Sequence, residues 1–236
     1  MPLRVGFDMD GVLADFAGAF HEVEARLFGP SAHSRAGDPE NEPAESAPAP
    51  ATVAASTRAL KNKAHESVRR RDAVWHALRE TPDFWMTLQP TEPDGVRRIH
   101  EMMLRHAWEV FFITRRPATA GQTVQRQTQH WLVAQGFDLP SVLVVPGSRG
   151  AAAGALSLDY HVDDSPTNCV DVRSESKARP LLIVADGDGT AVESARRLHI
   201  GTARTLSECL DVLEQATNAR NQPKLLHRIA ALVGWR

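Results

Sequence analysis

The stretch Leu3-Arg4-Val5-Gly6-Phe7-Asp8-Met9-Asp10-Gly11 decides the reading of this chain. A short apolar run stops at two carboxylates and a glycine, the pattern of a buried strand that ends in a turn. Asp8 and Asp10 stand two residues apart on a strand leaving its sheet. Their side chains therefore face the same way and can meet one substrate atom. One carboxylate of such a pair can act as nucleophile while its neighbour, held protonated, serves the leaving atom. Gly11 allows a sharp turn at that point.

Working outward, four more apolar runs read as strands: residues 110–113, ending at Thr114; 142–145; 160–162, ending at Asp163-Asp164; and 181–184. Between them lie segments of helical spacing: 12–28, 58–80, the face of Val96, Ile99 and Met103, the face of Val124, Thr128, Trp131 and Leu132, and 166–175. Thr205 and Glu208 make a capping box for a helix with Leu206, Cys209, Leu210 and Leu213 inward. A last helix is expected from Pro223, with Leu226, Ile229 and Leu232 or Val233 on one face. Five strands alternating with helices imply an α/β fold, a mostly parallel sheet covered on both faces. The expected core is 1–16 with 90–217. Residues 17–89 far exceed one crossover and form a helical cap inserted after the first strand. Within it, 31–57 is rich in Ala, Pro, Ser and Glu and is read as a low-complexity, poorly packed insertion. Residues 218–236 form a C-terminal helical extension.

The composition fits an ordinary globular protein. The chain has 236 residues, 42% of them apolar, and 27 basic against 29 acidic, a formal charge of −2. That length buries a real core without staples. The charge balance excludes a generally basic nucleic-acid binder, so nucleic acid is not an expected partner. Cys169 and Cys209 make neither a disulfide framework nor a zinc spacing, which points to a reducing compartment. No apolar run approaches the ~18 residues of a membrane helix, and the first strand starts too early to leave room for a signal peptide. A cytoplasmic protein with no membrane partner is the expectation. Oligomeric state is not legible.

Ligands of an open parallel sheet bind beyond the carboxyl ends of its strands. The residues there are Asp8, Asp10, Thr114, Asp163 and Asp164. Four carboxylates in one crevice repel one another unless a cation sits among them. All-oxygen ligands without His or Cys suit a hard ion, Mg²⁺ in particular.

The run Asp8-Met9-Asp10-Gly11-Val12-Leu13-Ala14-Asp15-Phe16 resembles the first motif of the haloacid dehalogenase (HAD) superfamily of phosphohydrolases, with wording closest to the 5′(3′)-deoxyribonucleotidase group. Thr114 resembles the second motif and Asp163-Asp164 the fourth, in the family's order. The resemblance implies a Rossmann-like core with a cap after the first strand. It makes Asp8 the nucleophile that forms an aspartyl-phosphate, Asp10 the general acid/base, and Thr114 a hydrogen-bond donor to the phosphoryl group. Mg²⁺ would be held by Asp8, the Asp10 backbone carbonyl and Asp164, with Asp163 in support. Phe84-Trp85 resembles the aromatic pair that packs on the substrate from the cap, with cap-core packing as the competing use, and Arg115 is a candidate substrate contact.

One departure stands out. The family's third motif is a Lys before the fourth-motif strand, and here residues 146–153 contain none. Arg149 is the nearest cation, with a planar fork in place of an ammonium. Either Arg149 takes the role, or another group does, or phosphatase activity is lost. A second Asp-x-Asp-Gly-Thr, at residues 186–190, has too little chain after it to begin such a domain and reads as a turn. Arg115-Arg116 reads equally as a solvated pair, and Arg69-Arg70-Arg71 as a solvated helix face. The expected activity is Mg²⁺-dependent hydrolysis of a small phosphorylated metabolite, with a nucleoside monophosphate as first candidate. The rival is a non-catalytic protein of the same fold that binds a phospholigand or a partner.

Overall fold

The computed structural model describes residues 2–29, 56–184 and 188–220, with the backbone alone over 56–64. Nearly all of the low-complexity insertion and the expected helix after Pro223 lie outside the described residues. Strand β1 (Arg4–Asp8) is followed by helices α1 (Phe16–Phe28) and α2 (Ser56–Glu80), a 3-10 turn at Phe84–Met86 and helix α3 (Gly95–His106). Then come β2 (Glu109–Thr114), α4 (Val124–Ala134), β3 (Val142–Val144), α5 (Arg149–Ala155), β4 (Tyr160–Asp163) and α6 (Pro166–Glu175). The chain continues through β5 (Arg179–Ile183), α7 (Gly189–Arg197), β6 (Gly201–Ala203) and α8 (Leu206–Arg220).

The sheet is parallel throughout, in the order β3-β2-β1-β4-β5-β6. Strand order reverses beside β1, so a crevice opens at its carboxyl end between β1 and β4. Register sets what meets there. Asp8 pairs with Ile113 and Phe7 with Val162, which puts Thr114 one residue past Asp8's level and Asp163 beside it. β1 is central and buried on both faces: Val5 and Phe7 pack apolar neighbours, while Gly6 leaves space for β4. A Cβ on Gly6 would stand 2.7 Å from His161 Nδ1, so only glycine admits that ring.

Six strands replace the expected five. Gly201-Thr202-Ala203 has no large apolar side chain to mark it, yet it pairs with β5 as the edge strand. The first half of the Asp-Gly repeat lies outside the described residues; in the second, Asp188 Oδ1 accepts from Ala191 N at 2.9 Å and caps α7, a helix absent from the sequence reading. The predicted capping box is half formed. Thr205 Oγ1 accepts from Glu208 N, but the Glu208 carboxylate reaches back to Arg204 N instead.

The insertion between β1 and β2 is fastened where it leaves and rejoins the sheet. Asp15 N donates to Gln89 O, Thr91 N to Leu13 O, and Ala14 bridges to Pro90. α1 begins at Asp15, whose side chain accepts from Gly18 N. The apolar interior then runs without a break from β1 and β2 through Phe16, Phe20, Trp75, Leu78 and Trp85. Burying such large aromatic faces holds the helical cap against the carboxyl edge of the sheet.

Candidate active site

Asp8 ends β1 with 3% of its surface exposed. Its Oδ1 accepts from Arg149 Nη2 at 2.7 Å and Nε at 3.2 Å, and its Oδ2 from Asp10 N at 3.1 Å, which fixes the carboxylate plane. Burial pushes its pKa well above the ordinary carboxylate value. The charges of Asp163, Asp10 and Asp164 push the same way, against the pull of Arg149. Arg149 opens α5, after Ser148 has capped that helix by accepting from Gly150 N and Ala151 N. The guanidinium also comes within 3.9 Å of Asp163 Oδ2.

Asp10 is buried and takes a bidentate ion pair from Arg116, with contacts of 2.6, 2.9 and 3.0 Å. Thr114 is buried, and its Oγ1 accepts from Arg116 N at 3.3 Å, so its own O–H points elsewhere to donate. Asp163 is fully enclosed and its oxygens are already engaged. Oδ1 accepts from Ser165 N and Asn168 Nδ2, and Oδ2 lies 2.9 Å from His161 Nε2. Those three partners hold the Asp163 carboxylate within the protein. Asp164, half-buried, lies against the turn after β1: a Cβ on Gly11 would meet its Oδ2 at 1.8 Å, and Gly11 has φ +75°. Glycine is required there on both counts.

The cleft above these groups holds about 50 Å³ and is lined by Asp8, Asp10, Thr114, Arg115, Arg116, Pro117, Arg149 and Asn168, with Phe16, Trp75 and Trp85 forming its cap side. Trp85 is anchored by Nε1 to Pro117 O at 3.0 Å and by its N–H to Gln127 Oε1 at 3.1 Å. Phe84 is not among the lining residues. It packs against Trp85 and Phe16 at ring-centre distances of 5.0 and 6.5 Å, which is cap core. Arg115 is exposed at the rim. A larger cavity of about 870 Å³, lined by Leu3, Leu158, Asp159, Lys177 and Arg220, lies at the opposite end of the sheet. None of the expected site residues reaches it.

Comparison with solved structures agrees with this layout. A protein assigned as a beta-phosphoglucomutase from Thermotoga maritima superposes with a TM-score of 0.54 at 20% identity, over 90% of this chain and 98% of that one. The chain has the HAD-like fold. A hydrolase from Pseudomonas syringae superposes on it with a TM-score of 0.51 at 12% identity, over 90% of this chain and 98% of that one. No family model and no curated protein matches the sequence. At these identities the likeness is one of fold. The HAD-like core accounts for the carboxyl-edge crevice, and the side chains within it belong to this chain.

Arg116 is the site residue that sequence reading passed over in favour of Arg115. It stands two residues past Thr114, just beyond the end of β2, and its main-chain N–H reaches back to Thr114 Oγ1 at 3.3 Å. Instead of a solvated pair, one arginine is at the rim and the other is buried 4.8 Å above the Trp85 ring. His161 and Asn168, which fix Asp163, also went unmarked.

The donor set suits a hard divalent cation. Asp8, Asp10, Asp163 and Asp164 bring four carboxyl groups to this crevice beside the two guanidiniums of Arg116 and Arg149, and Asp8 remains shifted upward with Arg149 in place, an all-oxygen donor set of the kind a hard cation takes. Among the described residues no three His, Cys, Asp or Glu side chains gather as a metal cluster. Mg²⁺ needs no such cage, since it commonly takes one or two carboxylates and keeps several waters.

Proposed function

We propose that this protein is a Mg²⁺-dependent phosphomonoesterase of the HAD type, acting through an aspartyl-phosphate on Asp8. The supporting observation is the meeting of Asp8, Asp10, Thr114 and Asp164 at the ends of three neighbouring strands, with Arg149 bonded directly to Asp8. A carboxylate oxygen of Asp8 attacks phosphorus, the bond to the leaving oxygen breaks, and Asp10 supplies that oxygen's proton. Water then attacks the aspartyl-phosphate, Asp10 takes a proton back, and phosphate leaves. Thr114 donates its hydroxyl hydrogen to a phosphoryl oxygen. Arg149 stands where the absent lysine would, steering the nucleophile and the incoming anion with a fork instead of a point charge. Asp8 and Asp164 with the Asp10 carbonyl would hold Mg²⁺, which would supply charge neutralisation for phosphate and nucleophile.

The leaving group faces Phe16, Trp75 and Trp85. A space of about 50 Å³ takes a phosphoryl group, whereas ligand pockets for whole small molecules run to roughly 300 Å³ and more. A small phosphorylated metabolite therefore fits better than a large one. A nucleoside monophosphate is the first candidate, as in the deoxyribonucleotidase group. The test is phosphate release from p-nitrophenyl phosphate and a nucleotide panel with Mg²⁺. Turnover by wild type and none by Asp8→Asn is expected; equal rates for the two refute the reading. The rival reading draws on Arg149 covering Asp8 Oδ1: a binder would be stabilised by phosphate without consuming any ester.

A further inference from the structure

Arg116 exposes none of its side chain. Nε donates to Asp10 Oδ1 at 3.0 Å and Oδ2 at 2.9 Å, and Nη2 donates to Oδ1 at 2.6 Å. Nη1 points away, to Thr128 Oγ1 of α4 at 3.1 Å, and Cζ lies 4.8 Å from the centre of the Trp85 ring. Its main-chain N–H reaches Thr114. One residue is thus tied to β2, to α4, to the cap turn and to Asp10.

We propose that Arg116 is a positioning residue that orients Asp10 so that proton transfer occurs at Oδ2; the inference rests on the phosphomonoesterase reading above. An aspartate carboxylate turns freely about its last torsion, whose energy profile is broad. A planar guanidinium bonded to both oxygens fixes that plane, and Thr128 and Trp85 fix the guanidinium in turn. The two oxygens are not equivalent. Nη2–H goes to Oδ1 alone at 2.6 Å, whereas the single Nε–H is shared between Oδ1 and Oδ2, so Oδ2 is the more lightly held oxygen and the one with a lone-pair direction open for proton transfer. In the first half-reaction that proton passes from Oδ2 to the leaving oxygen. In the second it returns to Oδ2 from the attacking water. Arg116 itself exchanges no proton. Misplacing the donor by an ångström costs catalysis without weakening binding, because the geometry matters only in the transition state.

The test compares phenyl phosphate with p-nitrophenyl phosphate on the full chain with Mg²⁺. The two esters share a shape, but the phenoxide leaving group needs the proton far more than nitrophenoxide does. For Arg116→Gln, kcat/KM, which reports the step that expels the leaving group, should fall by about tenfold more with phenyl phosphate than with p-nitrophenyl phosphate, within the roughly 10²–10⁴ that a positioned acid contributes. KM should change less than about threefold, the mark of an interaction made only in the transition state. Arg116→Lys should recover part of the difference. Thr128→Val, which loosens the guanidinium without removing charge, should shift the ratio the same way by about threefold. Equal fractional losses of kcat/KM on both esters, or a rise in KM at constant kcat, overturn the proposal. Should Arg116→Gln fail to fold, Thr128→Val decides: an unchanged ratio overturns it. A wild type inert toward both esters defeats the phosphomonoesterase reading itself, and with it this inference, before any variant is compared.

Discussion

Replacing Arg149 by Met keeps the length of the stem and removes the charge that faces Asp8. Both partners are almost fully enclosed, at 5% and 3% exposure, and the guanidinium makes contacts of 2.7 and 3.2 Å to one oxygen. Breaking a buried pair by removing one partner costs about 3–5 kcal/mol. For a chain of this size each kcal/mol moves Tm by about 2–4 °C, so a fall of about 6–20 °C is expected. The loss depends on pH in a definite direction. Asp8 already holds its proton more tightly than a free carboxylate, through burial first and then Asp163, and Arg149 is the opposing influence. Without Arg149 the folded-state pKa rises further. Between the unfolded value, about 3.9, and that raised folded value, the folded state binds a proton the unfolded chain has released. Stability therefore falls as pH rises through this window and recovers as pH falls. Thermal melts at pH 5 and pH 8 without divalent ions measure it, with the larger deficit expected at pH 8. A Tm within about 2 °C of wild type at both pH values refutes the reasoning, as does a larger deficit at pH 5.

Three further outcomes follow from the same geometry. Gly11→Ala places a methyl 1.8 Å from Asp164 Oδ2 at φ +75°, a backbone penalty of about 1–2 kcal/mol before the clash, so it should lower Tm and abolish Mg²⁺-dependent activity together. Adding Mg²⁺ should raise the Tm of wild type, by about 2.7 kcal/mol of linkage at one hundred times Kd, and should leave Asp164→Asn nearly unmoved; differential scanning calorimetry reads both. Trp85→Ala removes a fully buried ring that also covers Arg116, so chemical denaturation should show a loss of about 3–5 kcal/mol, with a smaller loss for Trp85→Phe.

The sheet was legible because its central strands are continuous apolar runs that stop at polar residues, and such runs survive any rearrangement of the helices around them. β6 was not, because Gly201-Thr202-Ala203 pairs through its backbone and carries no apolar signal. The strand-end carboxylates could be placed at one crevice from spacing alone, since register follows from parallel strands of similar length. Which oxygen meets which guanidinium could not. Arg115 and Arg116 are the same residue type side by side, and it is the contacts to Asp10, Thr128 and the Trp85 ring that hold the second one inside. Phe84 and Trp85 divide in the same way, one into the cap core and one onto the cleft, because adjacent residues in a 3-10 turn point in different directions.

In the proposed mechanism Asp8 becomes covalently phosphorylated during turnover. Acid-quenching the wild type with Mg²⁺ and a phosphomonoester, followed by peptide mass mapping, tests this most directly. One added phosphoryl group is expected on the peptide that contains Asp8, removable by hydroxylamine and absent from Asp8→Asn. Trapping of a stable phosphoryl group on any other residue while ester is consumed would contradict it.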